Sequence, residues 1–169
     1  RSRTQELAVS VLSPEQTQAF YECHRGSQQI RSAMEAGNMD ALLALDGHPA
    51  WTGWRGPTAG SSWLHMATSY RLDPLTLVPF LLQQGLSLEE LDGKGRSCLS
   101  YVFNGPVEGR CAWLKALTHA GLPVNHPTQA GQTAVSMAVL RRDVKAFDWL
   151  LEAGADATSE DHRQVRKAN

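Results

Sequence analysis

The chain has little excess charge of either sign: over its 169 residues the formal net charge is −1. A nucleic acid backbone or an anionic membrane surface is held by a concentrated positive field, and none is present. Long apolar runs are missing as well. The longest are of the kind "LVPFLL" at 77–82, far short of the ~20 residues that cross a bilayer, so no membrane insertion is expected. The N-terminal "RSRTQELAVSVLSPEQ" lacks the sustained apolar stretch of a secretory leader. Cysteine is scarce: Cys23, Cys98 and Cys111 contain no C-x-x-C pair, and an odd count closes no disulfide framework. A reducing, cytoplasmic setting is the expectation. The histidines are scattered, whereas structural metal sites use paired ligands at short spacing, so no metal is expected. The signatures G-x-S-x-G, G-x-x-x-x-G-K-[ST] and G-x-G-x-x-G are absent, and the expectation is a protein with no cofactor and no catalytic activity.

What is there is a period. With 42% hydrophobic residues the chain can bury one core. Three segments align within it: "GSSWLHMA" at 60–67, "GRSCLSYV" at 95–102 and "GQTAVSMA" at 131–138. Each opens on glycine, carries a hydroxyl two places on (Ser62, Ser97, Thr133) and an aliphatic two places later (Leu64, Leu99, Val135). A second series runs out of phase with the first. Gly85, Gly121 and Gly154 each follow a helix-like ending: "FLLQQG", "ALTHAG" and "WLLEAG". A hydroxyl ahead of an apolar run caps a helix by accepting from the free N–H groups of its first turn. Glycine after a helix takes the left-handed conformation that ends it. Each unit therefore reads as a loop, a short helix, a turn, a second helix and a stop. One helix pair buries one face, and stacked neighbours complete the core.

These segments resemble the ankyrin repeat, G-x-T-P-L-H-x-A followed by a helix ending in L-L-x-x-G-A-D. Gly60, Ser62, Leu64, His65 and Ala67 match the opening, and "LLEAGAD" at 150–156 matches the ending. "IRSAMEAGNMDALLAL" at 30–45 is similar to the helix–turn–helix half of a unit. The family proline is replaced by Trp63, Cys98 and Ala134, and its histidine by Ser100 and Ser136 in the later units. The turns at 70–77 and 101–110 are longer than regular ones. The resemblance implies an all-α solenoid of about three divergent helix-pair repeats over 28–158. An N-terminal segment with a capping helix precedes it at 1–27, and a polar tail follows at 159–169 that frays or forms a short helix. In the first segment Ser13, Pro14 and Gln16 read as a capping box, with Leu12, Phe20 and Cys23 facing inward.

The tryptophans divide. Trp63, Trp113 and Trp149 sit in repeat-phased helices and read as core. Trp51 and Trp54, followed by Arg55, sit in "DGHPAWTGWRGPTAGS", which carries no helical stripe. Either they plug the first helix pair or they present an aromatic patch; Trp and Arg are the residues enriched at binding hot spots, and at least one of the two indoles is read as serving recognition. By the family resemblance, projecting loops and first helices line a concave groove. That implies contact roles for Lys94, Arg96 and Gln129 from the loops, and for Tyr70, Arg71, Tyr101, Asn104 and Arg141 from the helices. Glu89, Glu90 and Asp92 read as a solvated acidic run. Function is then binding of another protein by a chain that is monomeric alone, an excised domain of a larger effector or scaffold. The alternatives are an inhibitory or immunity protein that blocks a toxin or enzyme, and an enzyme with a cryptic cysteine site, Cys98 beside His65.

Overall fold

The computed structural model describes residues 12–57, 59–129 and 131–167. Its helices are α1 (Pro14–Glu35), α2 (Met39–Leu43), α3 (Ala50–Gly53), α4 (Trp63–Ala67), α5 (Pro74–Gln83), α6 (Cys98–Asn104), α7 (Arg110–His119), α8 (Ala134–Arg141), α9 (Val144–Glu152) and α10 (Ser159–Val165). Strands β1 (Pro127–Gln129) and β2 (Gln132–Thr133) pair antiparallel just before α8. The all-α class expected from the sequence holds.

Both glycine series work at the backbone level. Gly85, Gly121 and Gly154 follow α5, α7 and α9 with φ of 93°, 110° and 92°, where a side chain would strain. Past each, an amide closes onto a carbonyl five residues back. Leu86 N–H donates to Leu81 O (3.3 Å), Leu122 to Leu117 (3.0 Å) and Ala155 to Leu150 (2.9 Å), three copies of one helix-ending hydrogen bond. The opening glycines Gly60, Gly95 and Gly131 share positive φ as well. Ser62, Ser97 and Thr133 are the N-caps of α4, α6 and α8, as the spacing predicts. Their hydroxyls behave differently. Thr133 accepts from Ser136 N–H (3.4 Å), Ser62 bonds the His65 ring, and Ser97 Oγ is buried without a hydrogen-bond partner.

Packing follows a fixed order. First helices touch in sequence, α4 on α6 and α6 on α8, while second helices do the same, α5 on α7 and α7 on α9. Each pair is also closed internally, α4 on α5, α6 on α7 and α8 on α9. At one end α2 and α3 lean on α1; at the other α10 lies on α8 and buries Val165. One cluster of buried apolar side chains runs from Ile30 in α1 to Val165 in α10.

The N-terminal region departs from expectation in two ways. The capping box forms as read, with Ser13 N–H donating to Gln16 Oε1 (2.9 Å) and Gln16 N–H to Ser13 Oγ (3.2 Å). However, α1 runs unbroken across the boundary placed at 27/28. Leu12 and Phe20 are exposed rather than inward, because every residue from Ser13 to Glu22 except Thr17 is exposed; α1 packs only from Cys23 onward. The 1–11 portion of the N-terminal segment lies outside the described residues, as do 168 and 169 of the tail. Within the tail, α10 forms, started by Thr158 and Asp161 capping each other (2.8 and 3.1 Å).

Gly26 sits inside α1 for a steric reason. A Cβ there would lie 2.1 Å from His48 Cε1, and the three nearest atoms all belong to that ring. The ring is itself held, since Ala50 N–H donates to His48 Nδ1 (3.1 Å). Gly26→Ala gains about 1 kcal/mol of helix propensity. Overpacking against a tethered ring costs about 1–3 kcal/mol, so the net change is a loss of stability. In a His48→Ala background the same substitution is expected to raise the melting temperature. Thermal unfolding of the four variants checks this; a loss of the same size in both backgrounds would refute the steric account.

Candidate protein-binding surface

The tryptophan-rich stretch is resolved around Trp63. Its ring is fully buried, its N–H donates to Ala50 O (3.0 Å), and Trp54 stacks on it with centroids 3.9 Å apart. Trp51 is 1% exposed, donates to Leu45 O (2.8 Å), and meets Trp63 and Phe80 edge-on. The recognition role left open for Trp51 is thus corrected: its indole is core. The stretch looked like loop because its helix, α3, is a single turn, too short to show a stripe. Trp54 is half-buried, with the Arg31 guanidinium 5.8 Å over its ring. Arg55 is exposed but committed, to Thr52 O (3.1 Å), Trp54 O (3.0 Å) and Glu90 (2.8 Å).

A second cluster surrounds Asp92, which the acidic run seemed to place in solvent. Its side chain is buried. It accepts from the Lys94 and Arg96 amides (2.9 Å each), from Arg96 Nε (2.8 Å) and from the Tyr101 hydroxyl (2.7 Å). Burial pushes its carboxyl up, but these hydrogen bonds outweigh burial and hold it well below the usual carboxylate range. Arg96 and Tyr101, read as groove contacts, are here partners of Asp92. Lys94 alone of that loop's predicted pair stands exposed. The signal was present in "DGKGR", since Asp accepting from the amide two residues on makes an Asx turn. The loop ahead of α4 is tied to this cluster: Gly93 N–H donates to Ala59 O (2.6 Å), and Glu90 O lies 3.1 Å from His65 Nε2.

His65 occupies both ring nitrogens. Ser62 N–H donates to Nδ1 (3.0 Å), which leaves Nε2 to carry the proton toward Glu90 O. Burial lowers its pKa, keeping it neutral. Cys98 points elsewhere, to Leu88 O (3.6 Å), and burial pushes its thiol up to about 12.

The remaining predicted residues fall at the other ends of the helices. Asn104 accepts from Arg141, joining the ends of α6 and α8. Tyr70 and Arg71 line a cavity of about 570 Å³ with Leu72, Pro74, Pro106 and Trp113. Gln129 ends β1, and its side chain lies outside what is described. Arg110 was not singled out from sequence, yet it is 4% exposed and crosses three segments. It donates to Asp143 (2.6 Å), Phe103 O (3.1 Å) and Gly105 O (3.3 Å). Among the described residues no group of three His, Cys, Asp or Glu side chains is placed to hold a metal, and no helix is long and apolar enough to cross a membrane.

Two substitutions separate holding from display. Trp54→Ala removes the stack on Trp63 and is expected to cost about 2 kcal/mol, whereas Lys94→Ala should stay within about 0.5 kcal/mol of wild type. Asp92→Asn should cost about 3 kcal/mol. Because the folded carboxyl titrates below the unfolded one, its stabilisation is complete above the unfolded pKa and is lost as pH falls through the folded value. Melting temperatures between about pH 6 and about pH 2 should therefore fall less steeply for Asp92→Asn than for wild type. Parallel curves would remove Asp92 from the acid response.

No family model matches the chain. Over 86 residues, half of its length, the chain is 35% identical to the phosphocholine transferase AnkX of Legionella pneumophila, and it spans 9% of that protein's length.

Proposed function

We propose that this chain is a stack of about three divergent ankyrin-like repeats, with a leading half-repeat and a helix at each end, whose work is to bind another protein. The observation that carries this reading is the order of contacts, first helix on first helix and second on second, with the same glycine closure ending α5, α7 and α9. The identity to a segment of AnkX supports it, and a match to 9% of a longer protein suits a module set within a larger effector or scaffold. Contact with the partner falls to Arg55, Lys94 and the Asn104–Arg141 pair, with Tyr70 and Arg71 beyond them. Arg96, Tyr101 and Asp92 hold the loop that presents Lys94. A surface fixed this way has little left to order on docking, which favours affinity. In this reading the chain does no chemistry of its own. A cysteine nucleophile at Cys98 is disfavoured by its buried, strongly raised thiol and by the separate hydrogen bonds of His65.

Affinity capture from source-cell extract, read by mass spectrometry, tests this with wild type beside Lys94→Glu and Arg141→Glu at matched melting temperature. At least one protein should be retained by wild type and fall by about tenfold on a variant, the effect of about 1.4 kcal/mol. Equal retention of every protein by all three baits would count against a binding role for this surface.

A further inference from the structure

We propose that the cavity beside Tyr70, Arg71 and Trp113 is a subsite for an acidic side chain of a partner segment that carries a basic residue next to it. The inference rests on the protein-binding reading above. The cavity opens between the turn that follows α4 and the turn that precedes α7, at the helix ends away from the Asp92 loop. At about 570 Å³ it is large enough for one or two side chains of an extended segment and too small for a helix.

Three residues that line it carry donors: Trp113, Arg71 and Tyr70. Trp113 is 4% exposed, and its indole N–H makes no hydrogen bond among the described residues. That N–H is nevertheless not one of the buried atoms left unsatisfied, which are Ser61 Oγ, Ser97 Oγ and Arg110 Nε. Trp113 itself lines the cavity. A donor in so buried a residue calls for an acceptor, since leaving it unmet in a dry complex costs about 1–3 kcal/mol. Arg71 is exposed, and its guanidinium likewise makes no hydrogen bond or ion pair among the described residues. Its planar fork matches a carboxylate. Tyr70 adds a hydroxyl whose pKa is raised by burial and by the Glu35 carboxylate, so it stays a protonated donor at neutral pH. The wall is thus rich in donors, and the acceptor it suits best is a carboxylate. Pro74 and Pro106 supply rigid apolar faces for the methylene stem of that acid.

Glu108 decides the neighbour. It lines the same cavity, is exposed, and has no hydrogen-bond or ion-pair partner among the described residues. A ligand carrying acid alone would meet its repulsion. A lysine or arginine beside the acid answers Glu108 while the carboxylate lies on Arg71 and the Trp113 N–H, so the two rim charges select a mixed pair rather than an acidic tract.

Fluorescence anisotropy tests this on the whole chain with the fluorescein-labelled peptide Ala-Leu-Glu-Lys-Leu-Ala and its Gln-for-Glu counterpart. Saturable binding of the first is expected, with the Gln peptide at least about fivefold weaker. Arg71→Gln should weaken the acidic peptide about tenfold. Trp113→Phe keeps an aromatic side chain but removes the pyrrole portion with its N–H, and should weaken it about threefold. With a third peptide, Ala-Leu-Glu-Gln-Leu-Ala, Glu108→Gln should abolish the advantage of Lys over Gln at the position after the acid. Absence of saturable binding, equal affinity for the first two peptides, or an unaltered affinity in Arg71→Gln would each overturn the proposal. Should Trp113→Phe fail to fold, Arg71→Gln decides, because Arg71 is exposed. Failure here with a partner still captured through Lys94 and Arg141 would sink the subsite and leave the binding function standing.

Discussion

A helix of a few turns does not hold together alone in water, because the first turn costs more order than its one hydrogen bond returns. Every helix after α1 is in that position, with lengths from 4 residues in α3 to 10 in α5 and α7. Their persistence has to come from ends and faces. The ends are supplied locally, by N-caps such as Asp73, Thr133 and Asp143 and by the glycine closures after α5, α7 and α9. The faces are supplied by neighbours, since Leu77, Val78 and Leu81 of α5 are fully buried only because other helices cover them. No pair in the middle of the chain is self-sufficient, and that dependence dictates one continuous core.

Apolar faces slide, and polar nodes fix where they stop. One node lies at each end of the helices. Asp92 gathers its own loop, the N-terminal side of α6 through Tyr101, and with Glu90 the loop and helix of the preceding unit. Arg110 gathers the end of α6 through Phe103 O and the cap of α9 through Asp143, whose other oxygen accepts from Ala146 N–H (3.0 Å). Both charges of the Arg110–Asp143 pair are more than nine-tenths buried, so their desolvation consumes most of the attraction. A misregistered stack would leave either charge buried and alone, at a cost of several kcal/mol. The pair therefore acts by penalising wrong arrangements more than by stabilising the right one.

What the sequence made legible was local. Cap hydroxyls, the Ser13 box and the helix-ending glycines are read from a few adjacent residues, and each sits where its spacing placed it. What stayed hidden depends on what lies across from a side chain. Nothing along the chain explains Gly26; only the His48 ring above it shows why a helix keeps a glycine there. Phe20 looked like a core residue by hydropathy, but no described element reaches that part of α1. Trp51 and Trp54 were indistinguishable along the chain and differ in space, one beneath Trp63 and Phe80, the other stacked on the outside of Trp63. Arg96 and Tyr101 were read as groove contacts from their places in a projecting loop and a first helix; the buried Asp92 that takes both was itself hidden in an acidic run.

The irregular turns carry the last step. Between α8 and α9 the chain turns within 142–143, with Arg142 in the left-handed region at φ 52°. Between α4 and α5 it takes 68–73, and between α6 and α7 it takes 105–109. Not every helix pair needs the extra residues, since α8 and α9 pack without them. Part of the first long turn, Thr68, Tyr70 and Leu72, lies on the core, and the two turns also add a wall. Tyr70, Arg71, Pro106 and Glu108 all lie in them, and Trp113 lines the same cavity. The departures from the period carry Arg71 and Glu108, two charges with no hydrogen-bond or ion-pair partner among the described residues. The regular parts hold the stack; what distinguishes this stack from another of the same build lies in its turns.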